Sequence, residues 1–316
     1  MKQVKHRKNV DAALRVLPML EKALKALGGR NSKRGKVLVA MSGGVDSSVL
    51  AAIITGLGYE GIGVHMQFWA DDKFNPEDSD KFPENKCCSL ESLEHARQVA
   101  HKYGMPFYVL NTRDVFKSEI VDYFIEGFEE GVTPNPCVEC NRSIKFGFLL
   151  DKMRELGAEF VATGHYVRKE EVVDESFPEG KRYVLRMASD KMKDQSYFLY
   201  TITQKKLRHC LFPLADLTKD EVRSIANEEG LSIVADKRDS QGICFFPEKS
   251  YVPFLERHMD KKHNMPGPIL TATGEKIGEH KGLACYTIGQ RQGLDIGGPG
   301  GPWYVIDKDA AKNALI

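Results

Sequence analysis

The stretch KVLVAMSGGVDSSVLAAIITGLG at 36–58 constrains the fold more tightly than any other part of the chain. KVLVAM (36–41) is short, apolar and valine-rich, the texture of a parallel strand buried on both faces. Gly43 and Gly44 permit a tight turn and the close approach of a ligand. Asp46, Ser47 and Ser48 are helix N-cap types, and VLAAIITGLG continues as a helix ending at Gly56 or Gly58. A strand, a glycine turn and a helix start in this order aim backbone N–H groups and the positive end of a helix dipole at one point, which favours an anion. No Gly-Lys-Ser/Thr follows, so this is not a Walker loop. Two glycines alone would also suit an ordinary strand-to-helix turn.

Downstream, strand and helix patterns alternate. YEGIGVHMQF (59–68) reads as a second strand, 70–86 as a polar loop, SLESLEHARQVAHKYG (89–104) as a helix stopped by Gly104, and MPFYVLN (105–111) as a strand. A helix near 114–130, a turn GVTPNPCVECN (131–141), a helix SIKFGFLLDKMRELG (143–157) and a strand AEFVATGHY (158–166) follow. This predicts an α/β fold, a parallel sheet with helices on both faces, and a ligand beyond the carboxyl ends of the strands. Ser42, Met66, Gly164 and His165 would converge there. Ala13, Leu17, Leu20, Leu24 and Leu27 recur at helical spacing, which predicts an amphipathic N-terminal extension over 1–35. From about 247 the chain turns glycine-rich with short strand patterns. The expected domains are therefore 1–35, 36–246 and a small β-rich domain at 247–316.

The 45 basic and 44 acidic residues leave a net charge of +1, so any face for nucleic acid has to be local. No run of about 18 apolar residues is present, which argues against a membrane span, and the first residues lack a secretory signal. Seven cysteines, at 87, 88, 137, 140, 210, 244 and 285, in a chain without such a signal suggest a reducing, cytoplasmic setting. They also point to metal or redox chemistry. Cys137 and Cys140 form a C-x-x-C flanked by prolines, and Cys244 follows Gly242 in DSQGICFF. A thiol near a helix N-terminus is a better nucleophile or metal ligand than an ordinary one. The C-x-x-C could also be half a zinc site, but no second C-x-x-C and no finger-spaced histidine pair follows. Cys210 and Cys285 sit among apolar neighbours and read as core; Cys87 and Cys88 read as helix-start packing.

SGGVDSS resembles the pyrophosphate loop of enzymes that cleave ATP between its α and β phosphates and adenylate a substrate. SGGVDSS, NPCVECN-x-x-IKF, ATGHY, KDQSYFL, DSQGICF and YTIGQRQGL-x-IGGPGGPWYV occur in one order. That set is similar to the tRNA-specific 2-thiouridylases, the MnmA family, over roughly 36–316. The resemblance implies ATP- and Mg²⁺-dependent thiolation of the wobble uridine in tRNAs for Lys, Glu and Gln. It implies ATP binding by Ala40, Met41, Ser42, Gly43, Gly44, Val45, Asp46 and Ser47, with Met66 and Gly164 at the adenosine and Asp46 assisting through Mg²⁺. Sulfur would arrive as a persulfide on Cys244 from a sulfur-carrier protein or cysteine desulfurase, with Cys140 as the second catalytic cysteine. Asn135, Pro136 and Cys137 match the segment meeting the target base, and His165, Lys193, Asp194 and Gln195 match tRNA contacts.

The chain departs from the family pattern in two respects. Many members carry an acid at position 137; a cysteine there gives three thiols, Cys137, Cys140 and Cys244, that could instead ligate a [4Fe-4S] cluster. Relatives also continue into a C-terminal β-barrel, expected to be absent here. The rival readings are another pyrophosphate-loop ligase or amidotransferase, and a non-catalytic iron–sulfur or zinc module that binds RNA.

Overall fold

Strand β1 (Lys36–Ala40) feeds two cores at once, because successive side chains of a strand point to opposite faces. Val37 and Val39 join one apolar cluster and Leu38 joins another. The computed structural model describes residues 35–74, 89–235, 242–248, 250–261, 265–297 and 301–316. The expected N-terminal helix, Cys87 and Cys88 lie outside the described residues.

Five strands form one sheet in the order β3-β2-β1-β4-β7, with every neighbouring pair parallel. They are β1, β2 (Glu60–Gln67), β3 (Phe107–Asn111), β4 (Phe160–Ala162) and β7 (Cys210–Leu211). The order reverses between β1 and β4, which opens a crevice at their carboxyl ends. On one face pack α1 (Val45–Gly56), α2 (Leu90–Lys102) and a later helix, α5 (Lys219–Glu228), through Leu50, Ile53, Ala96, Val99, Val222 and Ile225. On the other lies a helical segment kinked at Phe146: α3 (Pro136–Glu139), wider π-type turns at Cys140–Phe148, and α4 (Leu149–Glu155). It contributes Phe146, Leu149, Leu150 and Met153. The expected parallel sheet with helices on both faces is therefore present.

Several local expectations change. The turn at 131–141 becomes helix already at Pro136, whose fixed φ suits a first helical position, so Cys137 and Cys140 lie inside helical turns. The strand expected over 158–166 ends at Ala162, because the backbone folds back at His165–Val167. An antiparallel pair, β5 (Arg168–Val173) with β6 (Lys181–Arg186), was not foreseen. Among the described residues no helix is long and apolar enough to cross a membrane.

The chain gathers into two compact units, each drawn from separate stretches of sequence. The sheet just described belongs to the first. The second collects the described residues of Trp69–Pro83 and Asp114–Pro136 with those of Gly242–Ile316. Its cause is an aromatic cluster drawn from separate segments. Phe124 lies 5.4 Å from Phe245 and 6.0 Å from Phe254, ring centre to ring centre. Phe116 and Phe246 complete the cluster. The buried carboxylate of Asp71 accepts hydrogen bonds from Arg257 at 2.7 Å and His258 at 2.8 Å, tying residue 71 to the helix Val252–His258. A small sheet in the order β10 (Lys308–Asp309), β11 (Ala314–Leu315), β8 (Gly267–Leu270), β9 (Lys276–His280) closes this unit.

Phe254→Ala should cost about 3–5 kcal/mol in denaturant unfolding. Combined with Phe124→Ala, the loss should depart from additivity by about 1 kcal/mol. Strict additivity would place the two rings in separate folding units.

Candidate active site

The glycine turn is held by its own side chains. Ser42 N–H donates to Ser47 Oγ at 3.2 Å, and the hydroxyls of Ser47 and Ser48 both donate to the Gly44 carbonyl, at 3.0 and 2.9 Å. Helix α1 starts at Val45 with Gly44 as its N-cap and no side chain capping it. The serines and Asp46, expected as cap types, lie inside the first turn instead. This leaves the positive end of the helix open to an anion rather than to its own side chain. Gly43 is obligatory, since its φ is +75° and an added Cβ would fall 2.0 Å from the Ser92 carbonyl oxygen. Gly164 brings the end of β4 against the helix start, where an added Cβ would lie 3.2 Å from Asp46 Cβ.

A cavity of about 230 Å³ opens over this turn. Ala40, Met41, Ser42, Asp46, Ser47, Met66 and Gly164, all expected at the nucleotide, line it. His165 and Gln195, expected at the tRNA, line it too. Gly43, Gly44 and Val45 form the turn itself.

Asp46 is not alone. Its carboxylate accepts from Tyr166 Oη at 2.7 Å and, through both oxygens, from Lys219 Nζ at 2.8 Å. Lys219 opens α5, which is fixed by a capping box between Thr218 and Glu221. The lysine side chain is 9% exposed and that of Asp46 32%, so the acid keeps an open edge. Gln195 braces Tyr166 by accepting from its N–H at 3.0 Å and donating its own N–H to the Tyr166 carbonyl at 2.9 Å. Asp194 caps a local turn, accepting from Ser196 Oγ at 2.6 Å and Ala188 N–H at 2.7 Å. The Lys193 N–H donates to Asp190. Asp194 and Lys193 are not among the residues lining the cavity.

His165 is buried, 7% exposed, with both ring nitrogens engaged. Burial, followed by the neighbouring Lys145 charge, holds its pKa well below the ordinary histidine value, so the ring is neutral. The Lys145 ammonium lies 3.5 Å from Nε2, which must therefore accept, leaving Nδ1–H to donate to Thr163 Oγ1 at 2.8 Å.

Cys140 is buried and Cys137 exposed, three positions apart in the helical segment that later carries Lys145. Pro136 is buried and Asn135 and Cys244 are half-buried. Glu139, the acid nearest these thiols in sequence, is clamped by Arg142, whose Nε and Nη2 both donate at 2.9 Å. Among the described residues no three His, Cys, Asp or Glu side chains are disposed to hold a metal ion. Burial pushes the Cys210 thiol up to about 12, as suits the core role expected of it.

Lys145, Tyr166 and Lys219 were missed by sequence reasoning. Lys145 stands within the quoted IKF motif, whereas nothing local marks Lys219.

A glycine turn at the strand-order switch of a parallel sheet defines a pyrophosphate-loop nucleotide-binding protein. The family models for the tRNA methyl transferase HUP domain and PRC-barrel domain match residues 35–248 and 253–316. A tRNA-specific 2-thiouridylase from Caldanaerobacter subterraneus subsp. tengcongensis is 49% identical over 89% of this chain and 74% of its own. Those from Symbiobacterium thermophilum and Moorella thermoacetica are 47% and 49% identical, over 92% and 88% of this chain and 72% and 74% of theirs. The chain belongs to the tRNA-specific 2-thiouridylase family, MnmA. Among solved structures, the U34-tRNA thiolase NcsA from Methanococcus maripaludis with its [4Fe-4S] cluster is 19% identical at a TM-score of 0.43, covering 73% of this chain and 69% of its own.

Gly43→Ala should weaken ATP binding by at least about 100-fold in a calorimetric titration, because the turn cannot keep its left-handed φ beside Ser92. At pH 8, iodoacetamide should label Cys137 in the folded protein and spare Cys210 until denaturant is added, as peptide mass mapping would show.

Proposed function

We propose that this chain is an ATP-dependent tRNA sulfurtransferase that adenylates and then 2-thiolates uridine 34. The observation that carries the reading is one helical segment linking the buried Cys140 to the nucleotide cavity. Cys140 precedes Lys145, which lines the cavity, by five residues, roughly 7 Å along a helix. The kinship with 2-thiouridylases adds the substrate.

The uracil C2 oxygen is a poor leaving group. Its attack on the α-phosphorus of ATP breaks the Pα–O–Pβ bond, expels pyrophosphate and leaves the oxygen esterified to AMP. The open N-terminus of α1 and the glycine turn hold the departing pyrophosphate. Mg²⁺ fits as a phosphate-bound ion reached by the open edge of Asp46, since such ions take one or two carboxylates and complete their shell with phosphates and water. It supplies neutralisation of phosphate charge.

Sulfur arrives as a persulfide on Cys244, from a sulfur-carrier protein or cysteine desulfurase. The Cys140 thiolate attacks the Cys244 sulfur, forming a disulfide and expelling hydrosulfide. Hydrosulfide adds to C2, the C2–O bond breaks with its electron pair going to AMP, and the thiocarbonyl remains. An external thiol reductant then reopens the disulfide. Asn135, Pro136, Cys137 and Lys193 are assigned to tRNA, in the isoacceptors for Lys, Glu and Gln. His165, Asp194 and Gln195 support the site through their hydrogen bonds to Thr163, to Ala188 and to Tyr166.

The test is to incubate protein, ATP, a sulfur donor and unmodified tRNA, then digest the RNA and measure 2-thiouridine by mass spectrometry. Wild type should form it. Cys140→Ser and Cys244→Ser should form none while still releasing pyrophosphate, and Asp46→Ala should lower pyrophosphate release by about 100-fold or more. Undiminished thiolation by Cys244→Ser would refute the sulfur route.

A further inference from the structure

Lys145 is a cation that the reaction as described does not use. Its ammonium lines the nucleotide cavity, and among the described residues it is paired with no carboxylate. The other charges at the cavity cancel, since Asp46 is matched by Lys219 and burial holds both His65 and His165 below the ordinary histidine value and neutral. One positive charge is left over. It reaches the crevice from the opposite side of the sheet to the glycine turn: α1 packs on one core, and the segment bearing Lys145 packs on the other through Phe146. At Phe146 the helix leaves helical dihedrals (φ −120°, ψ 17°), a break directly after the lysine. Such π-type irregularities recur at functional sites.

We infer that Lys145 is the ligand of the α-phosphate, the phosphate that stays with adenosine through both halves of the reaction. A nucleotide in the crevice meets turn amides on one side and this ammonium on the other. The amides and helix dipole suit the terminal pyrophosphate, and a single ammonium suits one phosphate as a point charge. Of the three N–H donors on Lys145, one faces His165 Nε2, and two remain for phosphate oxygens. His165 is thereby a positioning residue for the lysine.

The inference deepens the proposed function and rests on it for the identity of the second step. When pyrophosphate leaves, the α-phosphate keeps its single negative charge. When hydrosulfide displaces AMP from C2, the electron pair of the C2–O bond remains on the phosphate, which becomes a dianion. The ammonium therefore acts where charge grows in the sulfur step, while the glycine turn acts where charge leaves in the adenylation step.

The experiment compares wild type, Lys145→Met and Lys145→Arg by calorimetric titration with AMP and with inorganic pyrophosphate, and by single-turnover pyrophosphate release and 2-thiouridine formation. Lys145→Met should lose about ten- to a hundredfold in AMP affinity and keep pyrophosphate affinity within about twofold. Thiolation should fall by at least about tenfold more than pyrophosphate release, and Lys145→Arg should recover AMP affinity. Thermal unfolding of each variant excludes a folding defect in Lys145→Met, and Lys145→Arg carries the test if one is found. Unchanged AMP affinity, or equal loss for AMP and pyrophosphate, overturns the inference. The titrations need no tRNA, so they stand even if wild type forms no 2-thiouridine, which would count against the function alone.

Discussion

The reversal of strand order between β1 and β4 is the constraint on which the nucleotide site depends. Parallel neighbours require crossover connections, and connections leaving in opposite directions put α1 on one face and the Pro136–Glu155 segment on the other. Between them the carboxyl ends of the strands are left uncovered. The glycine turn fills that gap with backbone, and the geometry is over-determined. Gly43 is pressed against Ser92, Gly164 against Asp46, and the Gly44 carbonyl accepts two serine hydroxyls.

Charge in this gap is arranged as carefully as shape. A carboxylate at a helix N-terminus would by itself repel phosphate, and Lys219 with Tyr166 removes that penalty by holding both Asp46 oxygens. A histidine buried beside a lysine stays neutral and serves as an acceptor. The cavity is thus positive without a dense basic patch, which fits a chain whose overall charge is only +1.

Much of this was legible in the sequence because it is local. A valine-rich strand, a glycine turn and an apolar helix stand next to one another at 36–58, and the sheet follows from their repetition. What local pattern could not show is any meeting of distant residues. Lys219 reaches Asp46 across 173 positions, and LTKDE reads as an ordinary capped helix start. The second unit draws Phe124 and Phe254 together from segments that a linear division of the chain assigns to different domains. Helix onset at Pro136 was misjudged because two prolines read as a turn, although proline also favours a first helical position. The β5–β6 pair was hidden by charge: RKEEVV and KRYVLR offer no alternating apolar face.

The central claim is that the nucleotide bound at the glycine turn activates the uracil oxygen itself. Oxygen tracing tests this directly: tRNA carrying ¹⁸O at C2 of uridine 34 is thiolated with ordinary ATP, and the released AMP is weighed by mass spectrometry. Transfer of that oxygen to the phosphate of AMP, one label per thiouridine formed, is the result expected here. Thiolation that leaves AMP unlabelled would contradict the account.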